Sequence, residues 1–221
     1  MTWVKICGMT NLEDALVAVD AGADAVGFVF YEKSPRYVTV ETAREIVQKL
    51  PKEVEKIGVF VNEAWQRVSE IANDSGLTAV QLHGDEYKNP ERYPLSGKVF
   101  FSLPIGDWVH EFSGQTGFFG LPNVPKSSTV LLDSGTQEQR GGTGKTFPWA
   151  EARWLVQALK ERNPVVIAGG LTPSNVKWAV ELLEAWGVDV VSGVEASPGK
   201  KDPEKVRAFV KAVREMDRKV G

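Results

Sequence analysis

The 221-residue chain has little cysteine, little histidine and no long apolar run, and each scarcity excludes a class of protein. Its single cysteine, Cys7, excludes an intrachain disulfide and a cysteine-based zinc cluster. Only two histidines occur, so no metal site is predicted. No apolar stretch reaches membrane-spanning length, and no signal-peptide pattern is present. We therefore expect a soluble, cytoplasmic protein with no membrane partner.

The charge balance also argues against a nucleic-acid partner. The net charge is −3 at pH 7, and no basic patch marks a nucleic-acid surface. With 43% hydrophobic and 25% charged residues, the composition is that of an ordinary globular protein. No linker or composition shift divides the chain. We predict one domain over residues 1–221, a small-molecule ligand, and either a monomer or a homodimer.

Short β-rich runs alternate with helical patterns along the chain. The predicted strands are 3–7, 24–30, 56–61, 78–82, 98–103, 129–133, 165–168 and 188–192. Several are apolar almost throughout, which is typical of parallel strands covered by helices. Eight such strands predict an α/β protein with a (β/α)8, or TIM, barrel, and a doubly wound open sheet is the alternative. The helical patterns are weakest over 85–96 and 107–124.

Side chains that cap helices mark several of the predicted helix starts. Thr10 with Glu13 matches a capping box before the first helix, and Gly22 is a stop signal after it. Thr172 and Asp202 each precede a proline, a pair typical of an N-cap and the first helical position. The final helix carries an apolar stripe at helical spacing, formed by Val206, Phe209, Val210 and Val213.

In a barrel of this kind, the loops after the carboxyl ends of the strands carry function. That rule collects one set of candidates, which are Cys7, Arg36, His83, Asp133, Gly169-Gly170 and Ser192-Gly193. The two glycine turns follow the seventh and eighth strands, where barrels often bind phosphate through backbone N–H groups. Either turn alone is equally typical of an ordinary tight turn, but the two together favour phosphate.

Three of these side chains have competing interpretations. Cys7 is either a reactive thiol at a strand end or, like most free cysteines, a small buried hydrophobe. Asp133 follows three apolar residues, so burial should raise its pKa and suit it to be a general acid, whereas a loop cap is the alternative. Arg36 follows a proline and could hold a carboxylate. The long segment 134–147 is typical of a lid.

Six motifs occur in order between residue 3 and about residue 202. They are Lys5-Ile6-Cys7-Gly8-Met9-Thr10, Lys33-Ser34-Pro35-Arg36, Val80-Gln81-Leu82-His83-Gly84, Leu132-Asp133 with Gly141-Gly142-Thr143-Gly144, Ala168-Gly169-Gly170-Leu171, and Ser192-Gly193-Val194-Glu195. Together they resemble the phosphoribosylanthranilate isomerase family of tryptophan biosynthesis.

The resemblance implies a barrel that converts N-(5-phosphoribosyl)anthranilate into 1-(2-carboxyphenylamino)-1-deoxyribulose 5-phosphate, an Amadori rearrangement without a cofactor. It implies that Cys7 is the general base and Asp133 the general acid. It also implies that Arg36 holds the anthranilate carboxylate, that His83 lies in the substrate site, and that the two glycine turns bind the phosphate. These roles require a lowered pKa of the thiol and a raised pKa of the carboxyl group.

Two positions depart from the family pattern. Val191 stands where serine is usual, and Pro148 stands where aspartate is usual, which affects the capping of the next helix. The nearest alternative function is a related isomerase of the histidine pathway, or a bifunctional enzyme, although those relatives have aspartate in place of Cys7. A non-catalytic barrel that binds sugar phosphates would not need Cys7 and Asp133 together.

Overall fold

A computed structural model of the chain describes residues 1–84, 98–105, 124–126, 128–135 and 146–220. Eight parallel strands form a closed barrel in which each strand pairs with the next and the eighth pairs with the first. They are β1 (Trp3–Cys7), β2 (Ala25–Val29), β3 (Glu55–Val61), β4 (Ala79–His83), β5 (Lys98–Pro104), β6 (Thr129–Asp133), β7 (Val165–Ile167) and β8 (Gly187–Val190). The predicted barrel is confirmed, and the pairing of β1 with β8 excludes the open sheet.

Helices alternate with the strands. Those in the described residues are α1 (Leu12–Asp20), α2 (Val40–Val47), α3 (Trp65–Ser75), α4 (Trp149–Lys160), α5 (Val176–Leu183) and α6 (Pro203–Val220). A 3-10 turn (Ser192–Val194) and a hairpin of β9 (Glu195–Ser197) and β10 (Lys200–Lys201) lie between β8 and α6. The weak helical patterns at 85–96 and 107–124 fall almost entirely outside the described residues. That residues 1–221 form one domain stays a prediction.

Among the described helices, none combines the length and the apolar character needed to cross a membrane.

Two apolar clusters surround and fill the barrel. The larger one lies between strands and helices and includes outward-facing residues such as Val4 and Ile6. The smaller one lies inside the barrel and consists of Ala25, Ile57, Ala79, Phe100, Leu131, Val166 and Ala168, with Trp3 packed against it. Because side chains alternate along a strand, Lys5 and Cys7 share the inward face of β1 with Trp3. The inward face of β1 therefore changes from apolar at Trp3 to polar at Lys5 and Cys7.

Two predicted helix starts are wrong. The helix α1 is capped by Asn11, whose side chain accepts a hydrogen bond from the Asp14 N–H at 2.9 Å. Thr10 instead donates its hydroxyl to a backbone carbonyl between β9 and β10, so a tertiary contact takes the group that the capping box would need. The helix α5 begins after Asn175, whose side chain accepts from the Thr172 N–H at 2.8 Å and forms a turn ahead of the helix.

The predicted start of α6 is confirmed. The helix begins at Pro203, and Asp202 Oδ1 accepts hydrogen bonds from the N–H groups of Glu204 at 3.0 Å and Lys205 at 3.2 Å. By contrast, α4 has no side-chain cap, because Pro148 occupies the position before its first residue. The departure from the family pattern at Pro148 thus removes a cap and leaves the helix itself in place.

We expect Asp202→Ala to lower the free energy of unfolding by about 1 kcal/mol, since it leaves two N–H groups of α6 without their acceptor. Asp202→Asn should restore most of that loss. The matched control is Asp20→Ala, at the exposed C-terminal end of α1, where no N-terminal N–H group needs an acceptor. Thermal unfolding of the three variants measures the effect. Equal losses in Asp202→Ala and Asp20→Ala would contradict the assignment of the cap.

Candidate active site

The closed barrel brings the candidate residues to one rim. Cys7, His83 and Asp133 are the last residues of β1, β4 and β6, and Arg36 lies in the loop after β2. The glycine turns follow β7 and β8. Because all strands are parallel, their carboxyl ends open on the same side of the barrel. Sequence reasoning therefore placed every one of these residues on the functional side.

A pocket that is partly open to solvent lies on this rim. Its lining includes Asp133, Gly169, Gly170, Asp189, Ser192 and Gly193. A Cβ atom at Gly193 would lie 1.8 Å from the carbonyl oxygen of Leu171, so no side chain fits there. Gly169 and Gly170 both have positive φ, at +83° and +62°. The pocket wall at the glycine positions is consequently bare backbone, which suits an anion that binds to N–H groups.

Asp133 is the acidic group of this pocket. Its Oδ1 atom accepts a hydrogen bond from the Gly135 N–H at 2.8 Å. Burial raises the pKa of the carboxyl group; the hydrogen bond from Gly135 opposes this rise and the charge of Asp189 adds to it. The net shift is upward, which is the direction that a general acid requires.

A buried lysine that the sequence analysis did not single out lies inside the barrel. Lys5 is fully buried, and its Nζ atom donates to Gln81 Oε1 at 2.7 Å and to Asp189 Oδ2 at 3.1 Å. Since an ammonium group only donates, Gln81 must turn its oxygen toward Lys5 and its amide nitrogen toward His83. That nitrogen lies 2.7 Å from His83 Nε2, which then accepts. The network links His83 to Asp189 through the barrel interior.

A pattern in the sequence could have revealed this network. Lys5 interrupts an apolar strand two residues before Cys7, and Asp189 interrupts the apolar β8. Charged residues almost never occupy fully buried positions unless they are paired. Two lone charges of opposite sign in the first and last strands of a predicted barrel therefore indicate an internal ion pair.

The environment of Cys7 differs from the expectation. The thiol is 3% exposed, and burial raises its pKa, while the nearby Lys5 ammonium opposes the rise. The role that the resemblance implies requires a lowered thiol pKa, whereas in the fold desolvation outweighs the neighbouring cations and raises it. At neutral pH the group is mainly the thiol.

Arg36 is held by a carboxylate that the sequence analysis quoted only within a motif. Its Nε and Nη2 atoms donate to the two oxygens of Glu195 at 2.8 and 2.7 Å, and Lys201 Nζ lies 3.1 Å from the same carboxylate. Burial opposes ionisation of Glu195, but the hydrogen bonds from Arg36 and the charge of Lys201 outweigh it and lower its pKa. The two-point contact fixes the plane of the guanidinium group, which retains further N–H donors for a ligand.

The structure thus forms two groups of site residues. Asp133 and both glycine turns line the pocket, whereas Cys7, Arg36 and His83 are not among its lining residues. Asp189 belongs to both groups, since it lines the pocket and pairs with Lys5. The glycines of the predicted lid, Gly141 to Gly144, lie outside the described residues.

Comparisons with known proteins show the family of the chain. The model of the family "N-(5'phosphoribosyl)anthranilate (PRA) isomerase" matches residues 4–212. Curated N-(5'-phosphoribosyl)anthranilate isomerases from Chlorobaculum parvum and Thermotoga neapolitana are 43% and 46% identical, over 99% and 96% of this chain and 97% and 98% of their own length.

Solved structures give the same family. A structure of monomers generated from the dimeric phosphoribosylanthranilate isomerase of Thermotoga maritima is 38% identical and superposes with a TM-score of 0.78. A phosphoribosylanthranilate isomerase in complex with reduced 1-(o-carboxyphenylamino)-1-deoxyribulose 5-phosphate is 37% identical, with a TM-score of 0.74. Each comparison covers 97% of this chain and 100% of the other.

We expect Glu195→Gln to lower the free energy of unfolding by about 3 kcal/mol at pH 7, because Arg36 and Lys201 lose a buried counter-charge. The carboxylate has a lowered pKa in the fold, so its contribution is present above its unfolded-state pKa of about 4.3 and is lost as pH falls further. The difference between variant and wild type should therefore shrink on acidification. Denaturant unfolding from pH 7 down to pH 2 measures it, because the loss falls below the unfolded-state pKa.

The control for this experiment is Glu184→Gln. Glu184 is exposed and forms surface ion pairs with Arg153 and Lys160 at 3.7 Å. Such pairs contribute at most about 1 kcal/mol. A gap between Glu195→Gln and wild type that stays constant with pH would show that Glu195 acts by packing and not by its charge.

Proposed function

The chain belongs to the N-(5'-phosphoribosyl)anthranilate isomerase family, and we propose that it converts N-(5-phosphoribosyl)anthranilate into 1-(2-carboxyphenylamino)-1-deoxyribulose 5-phosphate in tryptophan biosynthesis. The observation that carries the proposal is the pocket in which Asp133 lies beside both glycine turns, on the rim that also holds Cys7. The reaction is a 1,2 hydrogen shift along a sugar chain, so it needs an acid, a base and a phosphate anchor. Cys7 at the end of β1 disfavours the histidine-pathway alternative.

The phosphate would bind between the turns at Gly169-Gly170 and Ser192-Gly193. Backbone N–H groups bind phosphate without the cost of ordering long side chains, and glycines let the anion approach the backbone closely. Anchoring the phosphate between β7 and β8 would direct the sugar toward Asp133, which lines the same pocket.

Asp133 would begin the reaction by giving its proton to the ribose ring oxygen. The ring C1′–O bond breaks, and the nitrogen lone pair forms the C1′=N bond of a protonated Schiff base. Burial of Asp133 supports this role, because a raised pKa increases the fraction of the carboxyl group that carries a proton. The cationic Schiff base then withdraws electrons from C2′ and acidifies the proton there.

Cys7 would take the C2′ proton as a thiolate and leave an enolamine, which tautomerises to the ketone. Because burial raises the thiol pKa, the thiolate is disfavoured by the protein environment alone. The protonated Schiff base adds a cation to those already near Cys7, and a nearby cation favours the thiolate. Arg36 would hold the anthranilate carboxylate, and His83 would lie beside the substrate.

Mixing the protein with phosphoribosylanthranilate tests the function, because turnover consumes the anthranilate fluorescence of the substrate. We propose that neither a metal nor a cofactor takes part, so the rate should be the same with EDTA and without added nucleotide. Full turnover that requires either addition would contradict this mechanism. We also propose a cytoplasmic protein that is a monomer or a homodimer, which light scattering of the purified chain distinguishes.

We expect Asp133→Asn to reduce kcat/KM by about 10²- to 10⁴-fold, the usual contribution of a general acid. The same variant should raise Tm at pH 7.5 by about 2–4 °C, since it removes a carboxylate whose ionisation burial disfavours. A group with a raised pKa in the fold loses stability as pH rises, so the gain in Tm should shrink as pH is lowered.

The control for this pair of effects is Cys7→Ser, which should lose turnover without gaining stability. Full turnover in both Asp133→Asn and Cys7→Ser would contradict the roles assigned to the acid and the base. Loss of turnover in Asp133→Asn together with a lower Tm would instead make Asp133 a structural residue.

The phosphate site generates a separate expectation. Gly193→Ala places a methyl group against the Leu171 carbonyl oxygen, so the two turns must move apart. We expect KM to rise at least 10-fold, with a smaller change in kcat, and inorganic phosphate to lose its competitive inhibition. Gly187→Ala, at the start of β8 and so at the opposite end of the barrel, is the control, because its Cβ atom would also crowd a backbone carbonyl oxygen, that of Trp3 at 2.9 Å. An unchanged KM in Gly193→Ala would place the phosphate elsewhere.

A further inference from the structure

We propose that Lys5 is a positioning residue that acts through Cys7, because its buried ammonium lies beside the sulfur and favours the thiolate over the thiol. The inference rests on the proposed function for the identity of the reaction. The ionisation of Cys7 can nevertheless be measured without turnover, so the two proposals can fail separately.

The geometry brings the ends of the two side chains together. Lys5 and Cys7 are two residues apart on the inward face of β1, and Gly27 of β2 is the register partner of Cys7. A Cβ atom added at Gly27 would lie 2.5 Å from Cys7 Sγ and 3.0 Å from Lys5 Cε. Both atoms therefore border the same small space, which exists because residue 27 has no side chain.

The charge on Lys5 is maintained by its partners. Burial opposes the ammonium form, but the charge and hydrogen bond of Asp189, to which Cys7 adds when it is ionised, outweigh burial and raise the pKa of Lys5. The Asp189 Oδ1 atom is buried and has no hydrogen-bond partner among the described residues. The carboxylate thus holds the cation through one oxygen, at 3.1 Å, and does not enclose it. The side chain of Cys7 is a further hydrogen-bond partner of the same ammonium group.

Lys5 has a larger effect on the thiol pKa than the other nearby cation. Among the groups that lower the pKa of Cys7, Lys5 has the largest effect and Lys201 a smaller one. Lys201 is already engaged by Glu195 and by the carbonyl oxygen of Val191. Because the thiol is nearly inaccessible to water, solvent contributes little to stabilising a thiolate, and an adjacent fixed cation must do so.

The proposal predicts opposite effects of two variants on the ionisation of Cys7. Lys5→Met keeps the length of the side chain and removes the cation, so the thiol pKa should rise and the rate of Cys7 alkylation by iodoacetamide at pH 8 should fall about 10-fold or more. Asp189→Asn removes the anion that opposes the thiolate, so alkylation at the same pH should be several-fold faster. Since Cys7 is the only cysteine, all alkylation measured by mass spectrometry reports on this thiol.

The matched control is Lys56→Met. Lys56 is a second buried strand lysine, but its Nζ atom donates to the Pro51 carbonyl and it does not act on Cys7. This variant should leave the pH profile of alkylation unchanged. If Lys5 and Asp189 were merely structural, Lys5→Met and Asp189→Asn would change Tm, as Lys56→Met does. They would not shift the thiol pKa in opposite directions.

Kinetics complete the test. In Lys5→Met, kcat should fall by a factor similar to that of alkylation, while KM changes little, because the phosphate turns are intact. If Lys5→Met does not fold, the double variant Lys5→Met with Asp189→Asn removes both charges and should alkylate more slowly than Asp189→Asn alone. The proposal is overturned by a thiol pKa that is unshifted in Lys5→Met relative to wild type, or unshifted in the double variant relative to Asp189→Asn. Slower alkylation in Asp189→Asn than in wild type also overturns it. If the wild type does not turn over phosphoribosylanthranilate but the variants change the rate of Cys7 alkylation as expected, only the proposed function is overturned.

Discussion

The ion pair between Lys5 and Asp189 is the constraint on which the rest of the site depends. These residues are register partners on β1 and β8, so they meet where the barrel closes. Below them the interior is filled by apolar side chains, and above them lie the open rim and its loops. Moving either charge away from water costs several kcal/mol, and only good geometry offsets that cost. A pair retained at such a position is explained better by its effect on the groups above it than by stability.

Those groups form an acid and a base in similar surroundings. Burial raises the pKa of both Asp133 and Cys7, and the same two charges act on each of them with the same signs. Raising the pKa helps an acid to keep its proton but hinders a thiol from losing one. The site therefore favours Asp133 before substrate binds, while Cys7 depends on cations around it. Lys5 provides such a cation from the protein, and the protonated Schiff base of the proposed reaction provides another.

Much of this site could be predicted from the sequence because a parallel barrel converts strand order into position. Once eight strands are counted, every residue at a strand end is assigned to one rim, as Cys7, His83 and Asp133 show. Local rules failed where a tertiary contact competed, as when Thr10 bonded to a distant carbonyl and Asn11 became the cap. The direction of the Cys7 pKa could not be predicted, because it depends on how completely the folded chain excludes water from the thiol.

The departure at Val191 shows which part of the site tolerates change. Serine is usual there in the family, and valine removes a hydroxyl from the pocket lining. The backbone of the same residue keeps its contacts, since its carbonyl oxygen accepts a hydrogen bond from Lys201 at 3.3 Å. Gly193, two residues further on, admits no side chain at all. An anion site made of backbone N–H groups can lose a neighbouring hydroxyl because its donors do not depend on side-chain identity. The proton-transfer groups have no such freedom, because their pKa values depend on particular charged side chains.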